Sequence, residues 1–228
     1  MKPFRIAFLV SGNGGTLKVV ARAIEHLELP WQICLVLADR DCGALHYAQR
    51  HHLTHELVPY TRKAPHALQT ALQASRPDLI VTNIHKIIDS ETLNLFPDQF
   101  INLHYSLLPA FKGLIGMETL ERARDLNAGI VGATCHAVED DVDSGRVLSQ
   151  CGLAVDWRVE SMEQVAELVF RAAGLALLDG LQQKTETEIV ASRCSTVVYQ
   201  GKTLFFAPSL HFDPARLNEY FWEAVRNS

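Results

Sequence analysis

The hydrophobic period changes within the first thirty residues. Arg5 to Val10 (RIAFLV) holds an unbroken apolar run from Ile6 onward, the pattern of a strand buried on both faces. From Thr16 to Leu27 the apolar side chains Leu17, Val20, Ala23, Ile24 and Leu27 recur every third or fourth position, which is one face of a helix. The alternation then repeats. WQICLVLA (31–38) predicts a strand, CGALHYAQRHH (42–52) a helix, HELVPY (55–60) a short strand, APHALQTALQASRP (64–77) a helix and DLIVTN (78–83) a strand. Such alternation implies right-handed crossovers, and therefore an α/β fold with a mainly parallel, Rossmann-like sheet carrying helices on both faces.

Beyond Pro109 the rhythm changes. AFKGLIG leads into a helix starting near Met117; IVGATCHAVE (130–139) reads as a strand, DDVDSG (140–145) as an acidic turn and VLSQCGLAVD (147–156) as another strand. A long amphipathic helix begins at Ser161, with Glu163 and Gln164 in its first turn. The tail predicts a hairpin around Gln200-Gly201 and a last helix over 214–227. We therefore expect a main domain over residues 1–195 and a C-terminal hairpin and helix extension over 196–228. That extension concentrates Phe205, Phe206, Phe212, Tyr220, Phe221 and Trp222. It either completes the core, covers a substrate, or makes a homodimer contact.

Composition narrows the class. With 228 residues, 48% hydrophobic and 21% charged, the chain has the make-up of an ordinary globular protein, and no run approaches a membrane span. The start reads as a first strand rather than a secretory leader, so a cytoplasmic protein without membrane association is expected. A net charge of -5 argues against a nucleic-acid partner. The five cysteines form no C-x-x-C pair, so reduced thiols are expected. Among the ten histidines, His51, His52 and His55 lack ligand spacing, and no metal is expected.

Candidate chemistry gathers where strands end. Ligands of a parallel sheet lie beyond its carboxyl edge, where SGNGG (11–15), the segment after DLIVTN and INLHYSLLP (101–109) all fall. SGNGG between a strand and a helix suits an anion at a helix N-terminus, although it lacks the full G-x-G-x-x-G spacing. Asn102 and His104, two positions apart in an extended run, would point the same way. An aspartate of the acidic turn, Asp143 among them, could orient the imidazole and raise its proton affinity.

SGNGG before a helix, NLHYSLLP and DDVDSG, in this order and spacing over about residues 5–181, resemble the 10-formyltetrahydrofolate-dependent formyltransferases, on the glycinamide ribonucleotide side of that family. The resemblance implies the formyltransferase fold and transfer of a formyl group from 10-formyltetrahydrofolate, a cosubstrate, to a primary amine of a small phosphate-containing acceptor. It implies Asn102, His104 and Asp143 as catalytic residues, with Asn102 and a protonated His104 donating to the developing oxyanion. Ser106 would brace the turn rather than act as a nucleophile. The donor would lie against Ile84, His85, Lys86, Ile87 and Ile88, with Leu93, Phe100 and Val138 as apolar walls and Glu139, Asp140 and Asp141 supplying backbone groups. Asn13, Gly14, Gly15 and Thr16 would hold the acceptor.

Several positions depart from the family pattern. His85-Lys86-Ile87-Ile88 stands for a usual Met-Arg-Ile-Leu, Gly14-Gly15-Thr16 for Gly-Ser-Asn, Ile115-Gly116-Met117 for His-Thr-His, and Phe170 for a glutamate. The acceptor is therefore expected to be glycinamide ribonucleotide, with its place in purine biosynthesis, or, since those polar partners are lost, another amine such as a nucleotide-linked amino sugar. Formyltetrahydrofolate deformylase, with water as acceptor, and a non-catalytic folate- or nucleotide-binding module are the alternative readings.

Overall fold

The computed structural model describes residues 2–185 and 194–228. The chain forms two compact units, residues 1–102, 138–140 and 219–228 in one, residues 103–137 and 141–218 in the other.

The first unit is the alternating region. Its strands are β1 (Phe4–Val10), β2 (Trp31–Ala38), β3 (His55–Leu57), β4 (Leu79–Asn83) and the start of β5 (Phe100–His104). They run parallel in the order β3-β2-β1-β4-β5. The unbroken apolar runs read from sequence are buried centre strands: Ile6 to Leu9 and Val36 to Ala38 are fully buried. Helices α1 (Gly15–His26), α2 (Gly43–Arg50), α3 (His66–Ser75) and α4 (Ser90–Leu95) connect the strands. Gly14, just before α1, is left-handed (φ 75°), and a Cβ there would lie 2.8 Å from the Ala44 Cβ, so glycine is required by both backbone and space. The last helix, α7 (Glu219–Arg226), packs on α1 through buried Phe221 and Trp222, with the Phe221 and His26 rings 5.6 Å apart.

The second unit is antiparallel. Its strands β6 (Ile130–Ala137), β7 (Val147–Ala154), β8 (Cys194–Tyr199) and β9 (Lys202–Leu210) lie in the order β6-β7-β9-β8. Helix α5 (Glu118–Asp125) precedes them, and α6 (Met162–Thr185) crosses β6, β7 and β9. From Arg171 to Gln182 every residue of α6 is buried, and Gly180 lets Cys135 Sγ approach to where a Cβ would be 2.5 Å away. The tail hairpin supplies β9, placed between β7 and β8, and buries Leu204, Phe206 and Leu210.

Three expectations need correction. The third strand is only His55–Leu57, because Pro59 brings no N–H to a ladder. Helix α4 was not read from the sequence: six residues are too few for a helical period to show. The last helix is broken. A 3-10 turn, Pro214–Arg216, is capped by Asp213 accepting the Ala215 N–H at 3.0 Å, and Leu217 (φ -95°, ψ 67°) interrupts it before α7. Among the described residues no helix is long and apolar enough to cross a membrane.

Candidate active site

Strand order reverses at β1, which has β2 on one side and β4 on the other, and the crevice beyond such a reversal is where an open parallel sheet takes ligands. The SGNGG turn lies there, tied to β4 by the Ser11 N–H donating to the Asn83 carbonyl at 3.2 Å. Helix α1 starts with no side-chain cap and no acidic residue in its first turn, so its positive end is left for an anion. Asn13 is exposed and Gly15 half-buried, whereas Gly14 and Thr16 are buried. The Thr16 hydroxyl accepts from the Asn83 side-chain amide, so its work is internal.

The segment expected to hold the donor lies in the same unit. Ile84, Leu93 and Val138 pack against the core cluster that contains Ile88 and Phe100, while His85, Lys86 and Ile87 are exposed. The Val138 N–H donates to the Phe100 carbonyl at 3.0 Å and the His85 N–H to Ser11 Oγ at 2.8 Å. Glu139 and Asp140 are exposed. The Asp141 carbonyl, in the other unit, accepts from the Ser144 hydroxyl at 2.8 Å and closes the acidic turn.

Strand β5 carries Asn102 and His104 at alternate positions, so the strand geometry read from the sequence holds. In the second unit, His104 Nδ1 lies 3.4 Å from Asp143 Oδ2, and His136 Nε2 lies 3.6 Å from Asp143 Oδ1. The Gly113 N–H donates to Asp143 Oδ2 at 2.8 Å. Both imidazoles are buried, 5% and 2% exposed, which takes the cluster out of bulk solvent. Asp143 adopts a left-handed backbone (φ 53°), which the short polar side chain of aspartate tolerates.

The electrostatics correct one expectation. Burial pushes the His104 pKa below the ordinary imidazole value; Asp143 and the Phe111 carbonyl pull it up, His136 lowers it further, and the net direction is down. That direction favours the neutral imidazole at neutral pH. Asp143 moves down as well: burial raises it, but the nearby His136 ring, the hydrogen bond from the Gly113 N–H and the charge of both imidazoles outweigh that. The pair favoured at neutral pH is a neutral imidazole beside a carboxylate. His104 Nε2 faces the Phe111 carbonyl at 3.1 Å.

The turn after His104 is braced from β6 and β7. Ser106 Oγ donates to the Ala110 carbonyl, which is the bracing role read from the sequence. Thr134 Oγ1 donates to the Ser106 carbonyl at 2.7 Å and accepts from the Leu108 N–H and from Gln150 Nε2, each at 3.0 Å. His136, Thr134 and Gln150 were not singled out from sequence. The available signal was polarity inside a buried strand: Thr134 and His136 alternate along IVGATCHA, where an apolar strand has no need of them. Among the described residues no group of three His, Cys, Asp or Glu is arranged to hold a metal ion.

Comparison with known proteins shows the family and the fold. The family model described as "Formyl transferase" matches residues 4–181, and the chain belongs to that family. It is 27% identical over 161 residues to the chloroplastic phosphoribosylglycinamide formyltransferase of Arabidopsis thaliana, covering 66% of this chain and 55% of that protein. It is 29% identical over 157 residues to the formyltetrahydrofolate deformylase of Escherichia coli K12, covering 67% and 55%. The chain thus spans about half the length of these curated relatives. The fold matches the crystal structure of phosphoribosylglycinamide formyltransferase from Anaplasma phagocytophilum with a TM-score of 0.72 at 23% identity, over 87% of this chain and 92% of that one.

Proposed function

We propose that the protein transfers a formyl group from 10-formyltetrahydrofolate to a primary amine on a small phosphate-containing acceptor. The observation that carries this reading is Asp143 at the Nδ1 edge of His104, on the strand that also presents Asn102. Neutral His104 takes the proton that the attacking amine must lose, and the imidazolium so formed is stabilised by the Asp143 carboxylate. It then returns that proton to the leaving N10. The Asn102 side-chain N–H donates to the oxygen that gains charge, a contribution of about 3 kcal/mol for one such donor. For His104 Nε2 to take that proton, it exchanges the Phe111 carbonyl for the attacking amine.

The uncapped start of α1 supports an anionic acceptor. The apolar Ile115 and Met117, 48% and 36% exposed, and the departures at Gly15, Thr16 and Phe170 support an amine other than glycinamide ribonucleotide, with a nucleotide-linked amino sugar as the leading class. The test is to incubate the protein with 10-formyltetrahydrofolate, with and without a panel of amines, and follow free tetrahydrofolate. Release that requires an amine is the expected result. Release in water alone assigns the deformylase reaction, and no release in any mixture overturns an enzymatic reading.

A further inference from the structure

A second buried polar network, in the first unit, has no part in the chemistry above. Tyr60, Asp89, Thr92 and Gln69 are all buried, 2%, 8%, 0% and 5% exposed. The Asp89 carboxylate accepts from the Thr92 N–H at 2.8 Å, the Thr92 hydroxyl at 2.7 Å and the Tyr60 hydroxyl at 2.9 Å, and Gln69 Nε2 donates to Thr92 Oγ1 at 3.1 Å. The Tyr60 oxygen also accepts the Asp89 N–H at 2.8 Å and lies 3.2 Å from the Ile87 carbonyl. One phenol oxygen therefore touches both peptide groups that flank Ile88. At the other end of this stretch the His85 N–H is held by Ser11 Oγ. Between the two anchors Lys86 and Ile87 are exposed, so side-chain packing at those positions does little to fix the backbone.

We propose that Tyr60 is a positioning residue for the formyl donor: its hydroxyl, oriented by Asp89, holds the backbone of residues 85–89 in the shape that receives the folate ring system. This rests on the donor reading given above. Packing alone would be met by phenylalanine, since the ring of Tyr60 already belongs to the apolar core cluster. The hydroxyl is what the loop uses. A backbone edge fixed before the ligand arrives loses less conformational freedom on binding, and that gain appears in affinity for the donor and not in the chemical step.

The experiment compares Tyr60→Phe with Val58→Ala, a core substitution in the same cluster that leaves the loop hydrogen bonds in place. Folate affinity is measured by titration with tetrahydrofolate, and the Asp89 amide is followed by hydrogen exchange. We expect Tyr60→Phe to weaken folate binding about tenfold, to raise KM for 10-formyltetrahydrofolate by a similar factor with kcat and the amine KM within twofold, and to speed exchange of the Asp89 amide. Val58→Ala should lower Tm without those changes. Asp89→Asn, which leaves the phenol able to donate to the Ile87 carbonyl, should fall between wild type and Tyr60→Phe. Unchanged folate affinity in Tyr60→Phe overturns the proposal even if the amide exchanges faster, as does an equal loss in Val58→Ala. If the wild-type protein binds no folate while its formyl-independent properties are intact, the donor reading itself fails and takes this proposal with it.

Discussion

Asp89 in the first unit and Asp143 in the second are both nearly buried carboxylates held below the ordinary carboxyl pKa, yet their surroundings differ in kind. For Asp89, burial raises the pKa but is outweighed by short hydrogen bonds at 2.7 to 2.9 Å from a hydroxyl, a phenol and a backbone N–H, none of which ionises near neutrality. Asp143 has one such bond, from the Gly113 N–H at 2.8 Å, and two imidazoles at 3.4 and 3.6 Å. A saturated carboxylate with non-titrating partners fixes a backbone. A carboxylate with longer contacts to groups that gain and lose protons can follow a charge that appears during a reaction.

The largest expected effect strips both settings of their support. Truncation after Thr196 removes half of the edge strand β8 and all of β9 from the second unit, and α7 from the first, with buried Leu204, Phe206, Leu210, Phe221 and Trp222. At roughly 1.5–3 kcal/mol for each buried side chain, the loss is comparable to the whole 5–15 kcal/mol stability of a typical domain, so the shortened chain should fail to fold. A soluble, cooperatively melting product in circular dichroism would show that the tail covers a surface instead of completing the core.

Next come the substitutions that should separate the two carboxylates. Asn102→Ala, His104→Ala and Asp143→Asn should each lower turnover by on the order of a hundredfold or more, with little change in the melting curve. Near-normal turnover in any two would remove the assigned chemistry. Asp89→Ala should do the reverse. It strips the N-cap of α4 and leaves the Thr92 N–H and hydroxyl without their acceptor, at a cost of roughly 2–3 kcal/mol seen in urea denaturation, while kcat stays within a few-fold. A stable Asp89→Ala protein with abolished kcat would collapse the distinction.

How much of this could be read from the sequence depended on whether a feature is periodic. β1, β2 and β4 show as continuous apolar runs because both faces are covered, and α1 shows through Leu17, Val20 and Ala23. The short α4 and the break at Leu217 have no period, and their signals, Asp89 and Asp213 as caps, are single residues among many aspartates. The approach of Asp143 to His104 was legible because their motifs fall in order. Asp143 Oδ1 facing His136 was not, since the partner lies seven positions away across an acidic turn whose path no local rule sets. The direction of the His104 shift was not legible for a related reason: sequence shows the neighbouring aspartate but not the burial that outweighs it.

The smallest effect expected is a pH dependence, and its sign distinguishes the two carboxylates most finely. His104 has a folded pKa below the unfolded value of 6.5, with burial the main cause. Below pH 6.5 the unfolded chain takes up a proton that the folded chain resists, so stability should fall as pH drops from 6.5 toward the folded pKa and be flat above it. His104→Gln should remove that part of the slope. Asp89 and Asp143, both lowered from 3.8, add slopes of the same sign only in more acid solution. In the rate, kcat/KM should rise from acid pH through a group below 6.5 and level off at neutrality, because neutral His104 is the reactive form. Replacing Asp143 by Asn removes a contribution that raises the His104 pKa, so the inflection should move to lower pH; Asp89→Asn, whose carboxylate meets no imidazole, should leave it where it is. The check is a pH–rate profile with chemistry shown to limit the rate. An inflection that moves upward in Asp143→Asn, or that moves equally in both variants, would mean that Asp143 does not act on His104 through its charge.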